Sequence, residues 1–256
     1  MKIMKIMLSM LVGGMFVSAC SSDITDSEIQ QGNGSFVLSI LTEDVETEDI
    51  TRAYASADVN TFKVSLSDKN GLSLFSNKPY SEISDGDRTL PTAVGYQISV
   101  ESCSLEESTT LNEKWGEPRF VGAATFDIQS NEVTPLAVEC TMSNAGLMLI
   151  FDQSFVTKFP THAATTQDAR ALVFKSNSPG DIAYYPLDTE TGSVTLRLTG
   201  SAGGWSDRVD MTQNVSITKG KISRLTVSYD ENSGDVDIEF ETDKDMGESS
   251  DDVTVQ

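Results

Sequence analysis

From Thr61 onward, apolar residues recur at every second position. Phe62, Val64 and Leu66 alternate with Lys63, Ser65 and Ser67, the period that turns one face of a strand inward and leaves the other in water. Asp68-Lys69-Asn70-Gly71 then supplies a hairpin turn into Leu72 to Phe75, because Asn-Gly adopts left-handed backbone at little steric cost. The same rule predicts strands on Tyr96/Ile98/Val100, Phe126/Ile128, Leu136/Val138/Cys140, Val194/Leu196/Leu198, Leu225/Val227/Tyr229 and Val236/Ile238/Phe240. Each reads as a half-buried member of an antiparallel sheet. Leu147 to Phe151 is apolar on both faces and is expected to lie centrally, and Gly34 to Leu41 reads as a separate first strand. Only Gln153 to Phe159 suggests a helical turn, stopped by Pro160. Phe126, Val138 and Ile150 are expected in the core.

Many short strands separated by Gly, Asn and Pro turns predict an all-β chain, and its length predicts two tandem antiparallel Greek-key β-sandwiches. Each would bury a core large enough to stand without disulfides or metals. The expected boundaries are a leader at 1–19, a tether at 20–33, a first sandwich at 34–140, a second at 141–242 and an acidic tail at 243–256. The first sandwich would contain an acidic linker at 42–58, and the division between the two is expected near Thr141 to Asn144.

The N-terminus adds a location. Lys2 and Lys5 precede an apolar run from Ile6 to Val17 and then Val17-Ser18-Ala19-Cys20, the charge, length and small-residue pattern of an export signal. Ending on cysteine, it resembles the lipobox of bacterial lipoproteins, which implies that Cys20 is acylated and becomes the first residue after cleavage. Asp23, Asp26 and Glu28 resemble the acidic export tag of Bacteroidota surface lipoproteins. No later stretch reaches the ~18 apolar residues that cross a bilayer, so the expectation is a protein anchored in the outer membrane by lipid. Cleavage would take the formal net charge from −21 to −23, since Lys2 and Lys5 are the only charges before Cys20. That charge repels phosphate backbones, and no basic stripe offsets it, so nucleic acid is excluded as a partner.

Export also permits a disulfide between the two other cysteines, Cys103 and Cys140. Strand parity argues against it: the apolar set of Tyr96, Ile98 and Val100 is even-numbered, which puts Cys103 on the opposite face, whereas Cys140 shares the face of Leu136 and Val138. Both alternatives stand at the level of sequence.

Three blocks point to a family. Leu90-Pro91 is followed by Gly95-Tyr96-Gln97-Ile98; Trp115-Gly116-Glu117-Pro118-Arg119-Phe120-Val121-Gly122 is followed by Thr125-Phe126; and Val138-Glu139-Cys140 leads to Asn144-Ala145. Together they resemble an uncharacterised domain family of Bacteroidota lipoproteins that reads LP-x-G-x-Y, then W/F-x-x-P-Y-F-x-G-x-x-x-F, then C-x-x-x-N-A. The pattern continues through Val215 to Lys221 and the last two strands. Val94 falls between the Pro and the Gly, and Arg119 replaces the usual Tyr. The family has no assigned activity. By similarity it looks related to fimbrillin-like proteins, which are two tandem transthyretin-like β-sandwiches on a lipoprotein precursor. That likeness implies a structural or adhesive role with other fimbrillin-like subunits as partners, and cleavage after Arg52 in Ile50-Thr51-Arg52-Ala53. The alternative role is a monomeric surface lipoprotein that binds glycans or proteins.

Catalytic chemistry finds little support. His162 is the only histidine, follows Pro160 in what reads as a polar loop, and has no Gly-x-Ser-x-Gly elbow to serve. No His or Cys pair has metal-ligand spacing, so neither cofactor nor metal is expected. Asp230-x-Asn232-x-Gly234-x-x-Asp237 and Asp188-x-Glu190-x-Gly192 place oxygens at alternate positions as calcium requires, but these are equally the residues of hairpin turns. Trp115, Trp205, Tyr184 and Tyr185 are the aromatics that could stack on sugars; Trp115 is expected to close a loop over the sandwich, and Trp205, after Gly203-Gly204, to be the most exposed. Asn214-Val215-Ser216 matches a glycosylation sequon, a chance match in a bacterial lipoprotein. An enzyme is not expected.

If the acyl chains supply the membrane affinity, at about 0.8 kcal/mol per buried methylene, Cys20→Ala should leave an unprocessed precursor or a soluble protein. Fractionation of cells expressing the variant tests this, and a processed, membrane-bound variant would contradict it.

Overall fold

The period-two segments form strands, and the residues pointing inward are largely those the alternation selects. The computed structural model describes residues 32–42, 58–176, 181–202 and 208–242, all within one compact unit, Gly32–Gln256. The strands are β1 Asn33–Thr42, β2 Lys63–Ser67, β3 Ser73–Pro79, β4 Thr89–Pro91, β5 Ala93–Glu101, β6 Phe120–Ile128 and β7 Val133–Met142. They continue with β8 Asn144–Phe151, β9 Thr161–Thr166, β10 Val173–Phe174, β11 Ile182–Pro186, β12 Thr191–Ser201, β13 Arg208–Thr218, β14 Ile222–Tyr229 and β15 Val236–Thr242. Among the described residues, no helix is long and apolar enough to cross a membrane.

The first seven strands make one sheet in the order β3-β2-β5-β6-β7-β1-β4. The link between β6 and β7 is only two residue pairs, Phe120 with Met142 and Val121 with Thr141. Around this joint the sheet folds over on itself, so that Phe36 and Leu38 of β1 share one core with Val64, Leu66, Ile98 and Phe126 of the opposite limb. Ring contacts bridge the limbs, with Phe36 and Phe126 centroids 5.2 Å apart. The fold-over brings backbones close, and a Cβ on Gly122 would lie 2.4 Å from the Glu139 carbonyl oxygen. Glycine is required there by contact rather than by torsion.

A second core lies between the sheet β10-β9-β12-β13 and the sheet β11-β8-β14-β15. The middle strands of the latter have both faces covered. On β8, Leu147, Leu149 and Phe151 enter the second core, whereas Met148 and Ile150 face the first. Tyr184 and Tyr185 divide the same way on β11, as do Ile222 and Leu225 on β14. This double burial is why Leu147 to Phe151 has no polar face. Ile150 itself is half-buried rather than fully enclosed.

Two pairings correct the antiparallel expectation. β1 runs parallel to β7 from Ser35/Val133 to Thr42/Cys140, and β14 runs parallel to β8 from Ile222/Gly146 to Val227/Phe151. A hairpin turn reverses direction between sequence neighbours, but strands brought together from distant parts of the chain have no turn to dictate it.

Two short helices also depart from expectation, α1 Asp85–Arg88 and α2 Glu107–Thr110, besides the predicted turn, which is α3 Gln153–Lys158. α1 begins at a capping box, and reciprocal bonds between Ser104 and Glu107 precede α2, whose own N-cap, Glu106, makes no side-chain bond. Ser84 and Asp87 cap each other's backbone, and Glu107 accepts the Ser104 amide at 2.8 Å while Ser104 Oγ accepts the Glu107 amide at 3.2 Å. β3 is an edge strand whose Leu74 is 45% exposed, and Leu72, just before it, is 67% exposed.

Val138 is 1% exposed and Glu139 next to it is exposed. Val138→Ala should therefore cost roughly 2 to 5 kcal/mol in urea unfolding, against about 0.5 kcal/mol for Glu139→Ala. Equal losses would contradict the register of β7.

Candidate functional site

β1 has an unusual seat. From Ser35 to Thr42 it pairs with β7, but on its other edge β4 covers only Asn33 to Ser35. From Phe36 to Thr42 that second edge has no strand partner among the described residues. It is held instead by side chains: Phe36 and Leu38 are 1% and 3% exposed, and the Tyr80 hydroxyl donates to the Leu38 carbonyl at 2.7 Å. Val37 and Leu41, on the outer face, are 52% and 49% exposed. Beyond Thr42 the chain continues into the segment carrying Arg52, which lies outside the described residues, as does Cys20.

The three sequence blocks converge on the seam between the two cores. β7 passes to β8 across Ser143 alone, and Asn144, fully buried, begins the new strand. Its Nδ2 donates to the Glu117 carbonyl at 2.8 Å and its Oδ1 accepts the Arg119 amide at 3.0 Å. One side chain thus satisfies the backbone of the Trp115-to-Arg119 loop. Gly116 turns that loop with φ +82°, and a Cβ there would lie 2.1 Å from the Ser108 carbonyl oxygen. Trp115 then reaches into the second core, edge-on to Phe174 with centroids 5.0 Å apart, and its carbonyl accepts the Tyr184 amide at 2.8 Å. Arg119, the departure from the pattern, pairs with Glu101 at 2.7 Å and donates to the Cys103 carbonyl and the Ser143 hydroxyl at 3.1 Å each.

Cys103 and Cys140 are buried and free. β5 ends at Glu101, so strand parity does not extend to Cys103, which packs inward from the following loop. Burial raises both thiols, that of Cys140 up to about 11.

His162 is not in a loop but on β9, half-buried, its ring 4.5 Å from that of Phe151. Its Nδ1 lies 2.6 Å from the Phe159 carbonyl, which can only accept, so Nδ1 carries the proton. Tyr184 and Tyr185 are buried and present no ring to a ligand; Arg170 stacks on Tyr185, 4.1 Å from its centroid. Burial pushes the Tyr185 phenol up to about 12. Trp205 lies outside the described residues.

The Asp230 carboxylate accepts the amide of Asn232 in its own turn at 2.8 Å, which lowers its pKa. Among the described residues, no group of three His, Cys, Asp or Glu side chains is placed to hold a metal. Asn214 accepts a hydrogen bond from the Thr195 hydroxyl across β12 and β13. Tyr80 and Asn144 are the structural residues that strand periodicity does not reveal, because each acts through one polar atom on distant backbone.

Asn144→Ala would leave a buried amide and a buried carbonyl without partners, each worth about 1 to 3 kcal/mol. Unfolding in urea should show a loss of about 2 to 4 kcal/mol, and a loss below about 0.5 kcal/mol would mean that water replaces the side chain.

No curated protein matches this chain. Solved structures similar to it include a fimbrial assembly protein from Parabacteroides distasonis, 13% identical over 83% of this chain and 96% of that one with a TM-score of 0.45. Another is the fimbrial anchor protein Mfa2 from Porphyromonas gingivalis, 9% identical over 81% of this chain and 97% of that one with a TM-score of 0.35. Both scores are low, so the likeness extends to neither ligand nor partner. The model of a domain of unknown function, DUF4493, matches residues 32–256, and the chain belongs to that family.

Proposed function

We propose that this protein is a structural or adhesive subunit of the cell surface, held at the outer membrane through acylated Cys20, with β1 as an exchangeable strand. The observation that carries the reading is the seat of β1: among the described residues, Phe36 to Thr42 has a strand partner on one edge only, while Phe36 and Leu38 fill the core. A strand so placed is held mostly by apolar burial, which any segment with the same alternation could supply. Cleavage after Arg52 would sever β1 from β2, and its departure would expose the β7 edge together with an apolar groove. Both features favour addition of a strand from another subunit. The resemblance to fimbrillin-like precursors supports the same reading, and no catalytic step is part of it.

Treatment of the purified protein with an Arg-specific protease, followed by sizing under native conditions, tests the proposal. The expected result is loss of the N-terminal fragment and growth of oligomers from the truncated body. Retention of the fragment by a product that stays monomeric would overturn it.

A further inference from the structure

β3 and β4 are the two edges of the seven-stranded sheet, at opposite ends of its strand order, yet only the segment Tyr80 to Arg88 separates them along the chain. Because the sheet folds over on itself, that segment has to cross the open side of the first core. It is built as a strap. A 3-10 turn at Tyr80–Glu82 leads to Ile83, which is buried in the first core, and then to α1, which packs against β1 and β4. One end is fixed to the first limb, where the Tyr80 amide donates to the Phe62 carbonyl at 2.8 Å. The other end enters β4, beside β1. Between them the Asp87 carboxylate gathers three donors: the Lys78 ammonium of β3 at 2.5 Å, the Ser84 hydroxyl at 2.6 Å and the Ser84 amide at 2.8 Å. The Lys78 bond and the Ser84 bonds hold its carboxyl well below the usual carboxylate range.

The strap takes the place of a longer β4. Pairing of β4 with β1 stops at Ser35 and Thr89, and had it run on, Gly86 would stand opposite Leu38. The capping box of Ser84 and Asp87 instead draws Asp85–Arg88 into α1, so the edge of β1 keeps its backbone groups. The Ser35 amide donates to the Glu132 carbonyl just before β7. Alternation therefore aims the amides and carbonyls of Val37, Ser39 and Leu41 at β7, and those of Phe36, Leu38 and Ile40 at the strap. Among the described residues, the bond from the Tyr80 hydroxyl to the Leu38 carbonyl, at 2.7 Å, is the one hydrogen bond between the strap and this edge.

That bond has two consequences. A backbone carbonyl is common to every residue type, so Tyr80 reads the placement of a strand and not its side chains. A one-residue slip would aim the carbonyl at β7 and leave the hydroxyl without it. Tyr80 is also positioned by groups that remain when β1 leaves, since its ring is half-buried against the first core, its amide is held by Phe62 and its chain neighbours continue into β3 and α1. We propose that the strap Tyr80–Arg88 is the recognition element of the β1 seat, in which the Tyr80 hydroxyl grips the outward carbonyl of whichever apolar strand occupies the seat and slows its release. The inference rests on the reading of β1 as an exchangeable strand, and adds to its apolar contacts a polar one that is independent of sequence.

Hydrogen exchange of the intact chain, followed residue by residue, tests the grip without any cleavage. Tyr80→Phe keeps the ring and removes the donor. The amides of Val37, Ser39 and Leu41 should exchange about two- to tenfold faster, the range of one net hydrogen bond, while those of β12 and β13 in the second core keep the parent rates. Unchanged rates on β1 would overturn the proposal. An equal rise in both cores would do so too, by showing that Tyr80 only stabilises the fold as a whole. Lys78→Met, which releases Asp87 from β3, should move the same β1 amides in the same direction, and no effect there would remove the strap as the unit of recognition. Digestion with an Arg-specific protease then separates the grip from strand exchange. Tyr80→Phe should shed its N-terminal fragment about two- to tenfold faster than the parent. Shedding at one rate by both proteins would overturn the grip, whereas retention by both, with the exchange difference present, would leave the grip standing and overturn strand exchange.

Discussion

A sheet buried on both faces is the constraint on which the rest of this molecule depends. β8, β11 and β14 each send alternate side chains into two different cores, so neither core can be completed without the same three strands. Met148, Tyr184 and Ile222 belong to the first core, and Leu147, Tyr185 and Leu225 to the second. Burial of one large apolar side chain contributes about 1.5 to 3 kcal/mol, so three on each face bind the halves together by an amount comparable to the stability of a whole domain. The two cores should therefore unfold together, although each has its own sheets.

The polar seam completes what the shared sheet begins. Where β7 becomes β8 there is no room for a linker, and the loop from Trp115 to Arg119 must cross the junction with its backbone groups out of water. Asn144 resolves that by offering one donor and one acceptor to the loop, a match that a purely apolar residue cannot make. Trp115 and Arg119 then extend the loop in opposite senses, Trp115 into the second core and Arg119 back to Glu101 and the end of β5. A seam so tied joins the two halves through packed backbone with no linker between β7 and β8.

Period-two alternation made the inward residues legible from Phe62 through Val227, because burial of a strand face is a local property of sequence. Partners are not local. Nothing in Phe36, Leu38 and Ile40 distinguishes a parallel mate on β7 from an antiparallel one, and the fold-over at Phe120 and Met142 leaves no trace but Gly122, whose need for closeness appears only beside the Glu139 carbonyl. The bilateral hydrophobicity of Leu147 to Phe151 announced a central strand but could not say that its faces serve different cores. The cap of α1 was present in writing as Ser84 with Asp87, yet helices of one turn carry too little periodicity to be noticed. His162 and the tyrosine pair were misplaced for a related reason: polar tips read as surface, whereas aromatic bodies pack wherever rings gather.

The position of β1 also sets a condition on any processing. Phe36 and Leu38 are worth about 1.5 to 3 kcal/mol each by burial, and the parallel ladder with β7 from Ser35 to Thr42 adds its hydrogen bonds. Their joint loss approaches the full net stability of a domain, 5 to 15 kcal/mol. A body emptied of β1 would keep an open edge on β7, and the side chains that packed on Phe36, among them Phe126, would face water. Such a state is poor as an end product and good as an intermediate. If cleavage occurs, it must be coupled to capture of another strand, and the incoming segment must repeat the apolar alternation of Phe36, Leu38 and Ile40, because one residue of slippage would turn that face outward. The apolar alternation that seats the first strand would thus fix the register of any strand that replaced it.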